Sequence, residues 1–301
     1  MRLAAIVDTD ISRADAVAKE YGTRSFGSVE QLIATRSEIQ AASVAVPTVA
    51  HLSVAKKVMD AGIDVLIEKP VAISLAEADE LVRVANRCRR IAQVGHLERF
   101  NPAVRATAPL ITQPMFFEVH RLSVFTPRSL DIDVVLDLMI HDLDVVLSFV
   151  NSPVKEIRAV GLPILSGKVD IANVRMEFDS GCVANFTASR VSTEQVRKLR
   201  FFQAGQYISI DYSRQDVLVF SVGQEGVPSP NPRISVAKPP ITSEEPLQAE
   251  LKSFLDAVRA RSEPEVPLGD GRRALAVAVD VLAAIREHGV KVNLDKLTTA
   301  P

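Results

Sequence analysis

Short apolar runs alternate with helix-length segments through the first ninety-odd residues, and this rhythm limits the fold more than anything else in the chain. The run at 3–7 is continuous and apolar, and those at 42–46, 63–67 and 91–94 are short and mostly apolar, as expected of buried strands. Between them, residues 11–21, 28–34, 49–61 and 74–89 have helical spacing. Asp10 or Ser12, Ser28 and Ser74 stand at N-cap positions, and Gly22 and Gly62 lie just past two helix ends. Ser74 and Glu77 form a capping-box pattern. Strands joined by helices of this length cannot pair as hairpins, so the sheet is parallel and doubly wound.

Ligands of such a sheet sit at the carboxyl ends of its strands. The polar groups expected there are Asp8, Thr48 with His51 close by, Glu68, Lys69 and His96. Lys69 is followed by Pro70, whose ring restricts the corner and suits it to aiming an ammonium group. A strand-end lysine is more often simply solvated, so residue type alone leaves both readings open. Asp8 suits the acid that binds the ribose hydroxyls of a dinucleotide, which normally follows a glycine-rich loop by about 20 residues. No GxGxxG occurs and the first glycine is Gly22, so the first β-α unit reads as missing. The looser match at Gly269, Gly271 and Ala274 has no βαβ unit around it and reads as a helix start.

A second centre is residues 131–150, DIDVVLDLMIHDLDVVLSFV. Apolar residues run almost all the way round this helix, so it is expected to be buried. It nevertheless carries Asp133, Asp137, His141, Asp142 and Asp144, and buried charges need partners or a cavity. Asp137 and His141, four apart, share a face in an α-helix. A carboxylate beside an imidazole suits proton transfer. An Asp-rich helix start with a satisfied core histidine is the other reading.

After Pro114 the rhythm changes. Strands at 115–122, 154–160, 171–178, 182–189, 197–204, 207–211 and 217–221 succeed one another with mostly short connections, including turns at Asp179-Ser180-Gly181 and Gly205-Gln206. They predict a large, mainly antiparallel sheet with helices on one face and self-association on the other. Residues 226–240 read as a Pro-rich loop, 244–261 as a helix capped by Ser243, and 270–288 as a helix with His288 at its negative end. His120, between Val119 and Leu122, reads as structural. Arg99, Arg121, Arg128 and Arg190 either face a cleft, where a guanidinium suits a diphosphate, or are surface arginines.

The 301 residues are 47% hydrophobic with a net charge of −2, which gives no electrostatic case for nucleic acid or an anionic membrane. No apolar run reaches transmembrane length, and MRLAAIVDTD is not a signal peptide. Cys88 and Cys182 have no CxxC partner and read as reduced, buried thiols in a cytoplasmic protein. A metal hydrolase built on His96, Glu98, His120 and His141 is disfavoured because no ligand spacing such as HExxH is present.

The corner Glu68-Lys69-Pro70, the stretch Gly95-His96-Leu97-Glu98-Arg99-Phe100-Asn101-Pro102 and the Asp137…His141 pair, in this order, resemble the Gfo/Idh/MocA oxidoreductases. The resemblance runs from Leu3 to about His288. It implies an N-terminally shortened Rossmann-like domain over 1–102 and an α+β substrate-binding and oligomerisation domain over 103–301. It further implies NAD(P)-dependent hydride transfer, with Lys69 and His141 as the catalytic pair and Asp137 beside them. Asp8, Pro47, Thr48, His51, Glu68, Lys69, Pro70, His96, Arg99 and Asn101 would line the cofactor cleft, and Arg128 and Arg190 would hold substrate. NAD is favoured over NADP because an acid at Asp8 repels a 2′-phosphate. No metal is implied. Residues 120–144, with Asp170-Ile171-Ala172-Asn173 and Ala188-Ser189-Arg190, are most similar to bacterial members acting on nucleotide sugars. They imply oxidation of a UDP-N-acetylhexosamine at C3. The alternative is a non-catalytic nucleotide-sugar-binding or regulatory protein that has lost cofactor binding.

Overall fold

The computed structural model describes residues 2–35, 39–127, 132–223 and 234–293. It divides into two compact units, residues 1–95 with 251–272 and residues 96–250 with 273–301.

The first unit alternates β1 (Ala5–Val7), α1 (Ile11–Glu20), β2 (Arg24–Phe26), α2 (Val29–Ala34), β3 (Ala41–Val44), α3 (His51–Asp60), β4 (Asp64–Glu68), α4 (Leu75–Cys88) and β5 (Ala92–Gly95). Every strand pairing is parallel: β1 with β2, and β3 with β4 with β5. Asp10, Ser28 and Ser74 cap α1, α2 and α4 by accepting N–H groups of the first turn. The segment expected as a helix over 49–61 begins with one 3-10 turn, Thr48–Ala50, before α3. Strand β2 is absent from the periodicity because only Phe26 of its three residues is apolar.

Residues 251–272 complete this unit instead of continuing the second, as the domain expectation for 103–301 had it. Arg261 donates from Nη1 to Asp64 Oδ2 at 2.5 Å and from Nη2 to the Arg89 carbonyl at 2.9 Å. The Val94 N–H donates to the Val266 carbonyl at 2.9 Å, beyond the edge of β5. The glycine pattern at 269–274 lies at the start of the long terminal helix, which runs Leu268–Lys291. A Cβ on Gly271 would stand 2.7 Å from Val94 Cγ2, so glycine permits close helix–strand approach there. Gly271→Ala is expected to cost about 1–3 kcal/mol by overpacking. Chemical denaturation measures it, and an unchanged midpoint would mean that the helix shifts freely.

The second unit is built on an eight-stranded sheet. Its strands are β6 (Pro114–Val124), β7 (Val154–Leu162), β8 (Ile171–Phe178), β9 (Val183–Ser192), β10 (Val196–Gln203), β11 (Gln206–Asp211), β12 (Asp216–Val222) and β13 (Ile234–Ala237). Their spatial order is β13-β12-β11-β10-β6-β9-β8-β7. All pairings are antiparallel except β6 with β9. That one parallel pair arises because β6 slots between β9 and β10, which are consecutive in sequence. β13 lies within the stretch expected to be loop; its four residues are all exposed at the sheet edge. The β10–β11 turn is Ala204-Gly205, one residue earlier than expected, with Gly205 at φ 70°. Ser243 donates its hydroxyl to Gln215 Oε1 at 2.8 Å, and the next helix starts only at Pro246.

One face of the sheet, carrying Phe117, Val119, Phe186, Phe201 and Ile210, joins Val146 and Val281 in the core. The opposite face carries an aromatic row, Phe116–Phe202–Tyr207–Phe220, with successive ring centroids 5.7, 4.9 and 5.3 Å apart. A short helix α5 (Pro102–Thr107) starts at Asn101, and α6 (Ile140–Phe149) lies at the core. No described helix is long and apolar enough to cross a membrane.

Candidate active site

The first unit presents its polar groups at the carboxyl ends of its strands. Asp8 follows β1. Its Oδ1 accepts from the Asp10 N–H at 2.8 Å and from Arg13 Nη2 at 3.1 Å, and its Oδ2 lies 2.8 Å from Arg13 Nε. The Asp10 N–H, and then Arg13, hold the carboxyl below the usual carboxylate range. Arg13 was not foreseen. It offsets the repulsion that Asp8 alone would offer a 2′-phosphate.

Pro47 and Thr48 follow β3, Glu68 ends β4, and Lys69 and Pro70 follow it, with a cis Lys69–Pro70 peptide. His51 links the two corners. Its Nδ1 lies 3.0 Å from the Pro70 carbonyl and its Nε2 lies 3.0 Å from the Val46 carbonyl. The ring is buried and braces the backbone beside Lys69. Lys69 itself is half-buried. At the end of β5, a Cβ on Gly95 would stand 3.1 Å from Glu68 Oε2. Gly95 therefore lets the Glu68 side chain lie across the strand end.

These groups fit NAD: a partly exposed carboxylate for a ribose diol, an ammonium at a strand end, and a strand end left open by glycine. The described residues before Asp8 include no glycine-rich turn for the diphosphate.

In the second unit, the described part of the expected helix, residues 132–150, is not one α-helix. A wide π-helical turn, Val135–Met139, precedes α6, and the Ile140 N–H reaches back five residues to the Val135 carbonyl. One extra residue in a turn rotates the upstream part of a helix by about 100° relative to the downstream part. Asp137 lies inside this turn and His141 just after it, so they do not stand in the simple α-helical relation expected from their spacing. The burial expected of α6 is observed, with Asp142 and Asp144 among the buried side chains. His96 is buried, and its ring stands edge-to-face with His141 at 6.4 Å.

The charges of this helix have specific partners. Arg121 donates from Nε and Nη2 to Asp142 at 2.6 and 2.9 Å, and from Nη1 to Glu98 at 3.0 Å. Its guanidinium also lies 5.2 Å from the Tyr212 ring centroid. Burial opposes the charge on Arg121, but Asp142 and Glu98 outweigh it and hold the guanidinium protonated. Asn101 was expected near the cofactor. Its Nδ2 instead donates to Glu98 at 3.2 Å and to the Tyr212 carbonyl at 3.0 Å, while its Oδ1 caps α5. Arg99 lies 3.6 Å from Asp144. Arg128 falls outside the described residues.

Arg190 was expected to hold substrate. Its side chain is only 6% exposed, pairs with Asp170 at 3.5 Å, and donates to the carbonyls of Ile132 and Val169. Asp170 in turn accepts the N–H groups of Ile164, Leu165 and Ser166 at 2.7–2.8 Å and the Ser166 hydroxyl at 2.7 Å. Burial works to raise its pKa, but the Ser166 hydroxyl and these N–H groups outweigh it and hold the carboxyl at about 2. The lowered value stabilises the fold above pH ~4, and that contribution is lost as pH falls through about 2. Asp170→Asn is expected to cost roughly 2 kcal/mol at neutral pH and almost nothing near pH 2. Urea midpoints of the two proteins across pH test this; a constant gap would rule out the linkage.

Cys182 is buried, and burial pushes its thiol up to about 11. Cys88 is only half-buried and contacts Asp60 at 3.3 Å.

A parallel strand–helix unit with an acid and a lysine at its strand ends, followed by a large-sheet unit with an imidazole on a core helix, defines a two-part nicotinamide-dependent oxidoreductase. Residues 1–96 match the model of the oxidoreductase family with an NAD-binding Rossmann fold, and residues 115–206 match that of the GFO/IDH/MocA C-terminal domain. UDP-N-acetylglucosamine 3-dehydrogenase of Acidithiobacillus ferrooxidans is 36% identical over 285 residues, covering 94% of this chain and 90% of that protein. The solved structure of that enzyme superposes with a TM-score of 0.87, covering 94% of this chain and 89% of the other. The scyllo-inositol 2-dehydrogenase (NAD(+)) of Bacillus subtilis is 27% identical over 64% of this chain and 60% of its own. An oxidoreductase domain protein from Kribbella flavida, 17% identical, shares the fold with a TM-score of 0.84, covering 95% of this chain and 89% of its own. The chain belongs to the Gfo/Idh/MocA family of oxidoreductases and is an NAD-dependent enzyme.

Proposed function

We propose that the enzyme oxidises a sugar hydroxyl, that of a UDP-N-acetylhexosamine at C3, with Lys69 and His141 as its catalytic pair. The supporting observation is the 36% identity to UDP-N-acetylglucosamine 3-dehydrogenase across nearly the full length of both chains. NAD, when bound, supplies the hydride acceptor. His141 takes the proton of the hydroxyl as general base. Lys69 donates a hydrogen bond to the same oxygen and stabilises the charge that develops on it. Asp137, within the wide turn before His141, orients the imidazole. Asp8, paired with Arg13, holds the adenosine ribose, and Pro47, Thr48, Glu68 and Pro70 complete the cofactor side of the first unit. His51 and Asn101 serve as braces. The N-terminal unit acts as the cofactor module and the large-sheet unit as the substrate module.

The test is NADH formation from NAD with UDP-N-acetylglucosamine, UDP-N-acetylgalactosamine, UDP-glucose and free myo-inositol. Oxidation confined to the N-acetylated nucleotide sugars is the expected result. Turnover of free cyclitols alone would overturn the substrate assignment and leave the oxidoreductase class standing.

The aromatic row on the outer sheet face supports a homo-oligomer closed through that face. Phe202→Asp combined with Phe220→Asp is expected to yield monomers in sedimentation velocity. An unchanged sedimentation coefficient would place the interface elsewhere.

A further inference from the structure

The wide turn Val135–Met139 is held at both ends by buried arginines. On the upstream side, Arg190 donates to the Ile132 carbonyl, and its own backbone N–H donates to the Asp170 carbonyl at 3.0 Å. The same end is tied twice more: Val134 N–H to the Val169 carbonyl, and Val169 N–H to Asp133 Oδ1, each at 2.9 Å. On the downstream side, Asp142, the residue after His141, is gripped by both arms of the Arg121 fork. Glu98 and Tyr212 hold Arg121 from its other sides. A π turn is rare and occurs mostly as a single-turn bulge inside an α-helix, frequently at functional sites. Relaxing it by one residue would rotate Asp137 and everything upstream by about 100° about the helix axis relative to His141.

We propose that Arg121 and Arg190 are positioning residues: by fixing Asp142 and the Ile132 carbonyl they keep the Val135–Met139 turn wide and set the direction of the His141 imidazole. Neither arginine touches substrate; both act through the helix that carries His141. The proposal rests on the reading of His141 as general base.

Arg121→Lys and Arg190→Lys keep the charge and lose the fork. Each is expected to lower kcat by about 10–100-fold, the scale of a misplacement of about 1 Å. NADH affinity and the KM for the nucleotide sugar should stay within about twofold, and the acid limb of the kcat–pH profile should move. Where a lysine upsets folding, Arg121→Met with Asp142→Leu and Glu98→Gln replaces the buried charges with neutral groups, a change that folds tolerate. That triple variant is expected to melt within a few degrees of the parent and still show the kcat loss. Any of these variants with parental kcat per folded molecule and an unmoved pH profile overturns the proposal. His141→Ala assayed alongside separates the two levels. Normal turnover there removes the general-base reading itself. An inactive His141→Ala with a fully active Arg121→Lys removes only the positioning role.

Discussion

His141→Ala is expected to lower kcat by about 10²–10⁴-fold, the usual contribution of a general base. The fold should survive, because His141 is only half-buried and the core about α6 is built by Ile140, Leu143, Val146 and Leu147. Lys69→Ala is expected to act at the same step, with a loss of about 10²–10³-fold from removing one donor to the developing oxyanion. Steady-state kinetics with saturating NAD separates these effects from cofactor affinity. If kcat in either variant stayed within threefold of the parent, the role given to that residue would be wrong. A solvent isotope effect on kcat that disappears in His141→Ala would identify proton transfer as the lost function.

The second large effect is on stability. Arg121→Ala leaves the buried carboxylates of Asp142 and Glu98 facing a cavity, and breaking such a cluster from one side costs about 3–5 kcal/mol. That is a large fraction of the stability of an ordinary domain. Urea unfolding monitored by circular dichroism should show the midpoint falling sharply with the slope unchanged. A loss under 1 kcal/mol would mean that water enters and solvates both acids. Arg158, an exposed sheet residue paired with Glu156, is the matching control and should cost little on substitution.

The parallel first unit was legible because its strands are short, mostly apolar runs and α1, α2 and α4 carry Asp or Ser caps, and both leave marks in local sequence. The order of the large sheet was not legible. That β6 lies between β9 and β10 depends on contacts between residues about seventy or more positions apart, and alternation within a strand says nothing about its neighbours. At the site, Asp8, Lys69 and His141 stood out by residue type at strand ends and on an apolar helix. The arginines did not sort themselves. Arg121 and Arg190 look in sequence like any strand arginine, and only the demand that buried Asp142 find a partner hinted at the use of one of them. The π turn had no local signal, because an extra residue in a helix changes phase without changing composition. His51 and Asn101 were assigned to the cofactor for what they can bond; three-dimensional structure shows carbonyl, carboxylate and backbone N–H partners already supplied by the protein.

The Arg261–Asp64 pair joins residues 197 positions apart, and the Val94–Val266 hydrogen bond spans nearly as much chain. A ribosome adds roughly 5–20 residues each second, and N-terminal domains ordinarily fold while the rest is still being made. Here the first sheet emerges early, yet Asp64 must wait for residue 261 before its partner exists. During that interval the nascent chain carries a buried-type carboxylate and an open β5 edge with nothing to cover them. The unit can close only once residues 251–272 have emerged from the ribosome, so any earlier pause prolongs its exposure to chaperones and proteases.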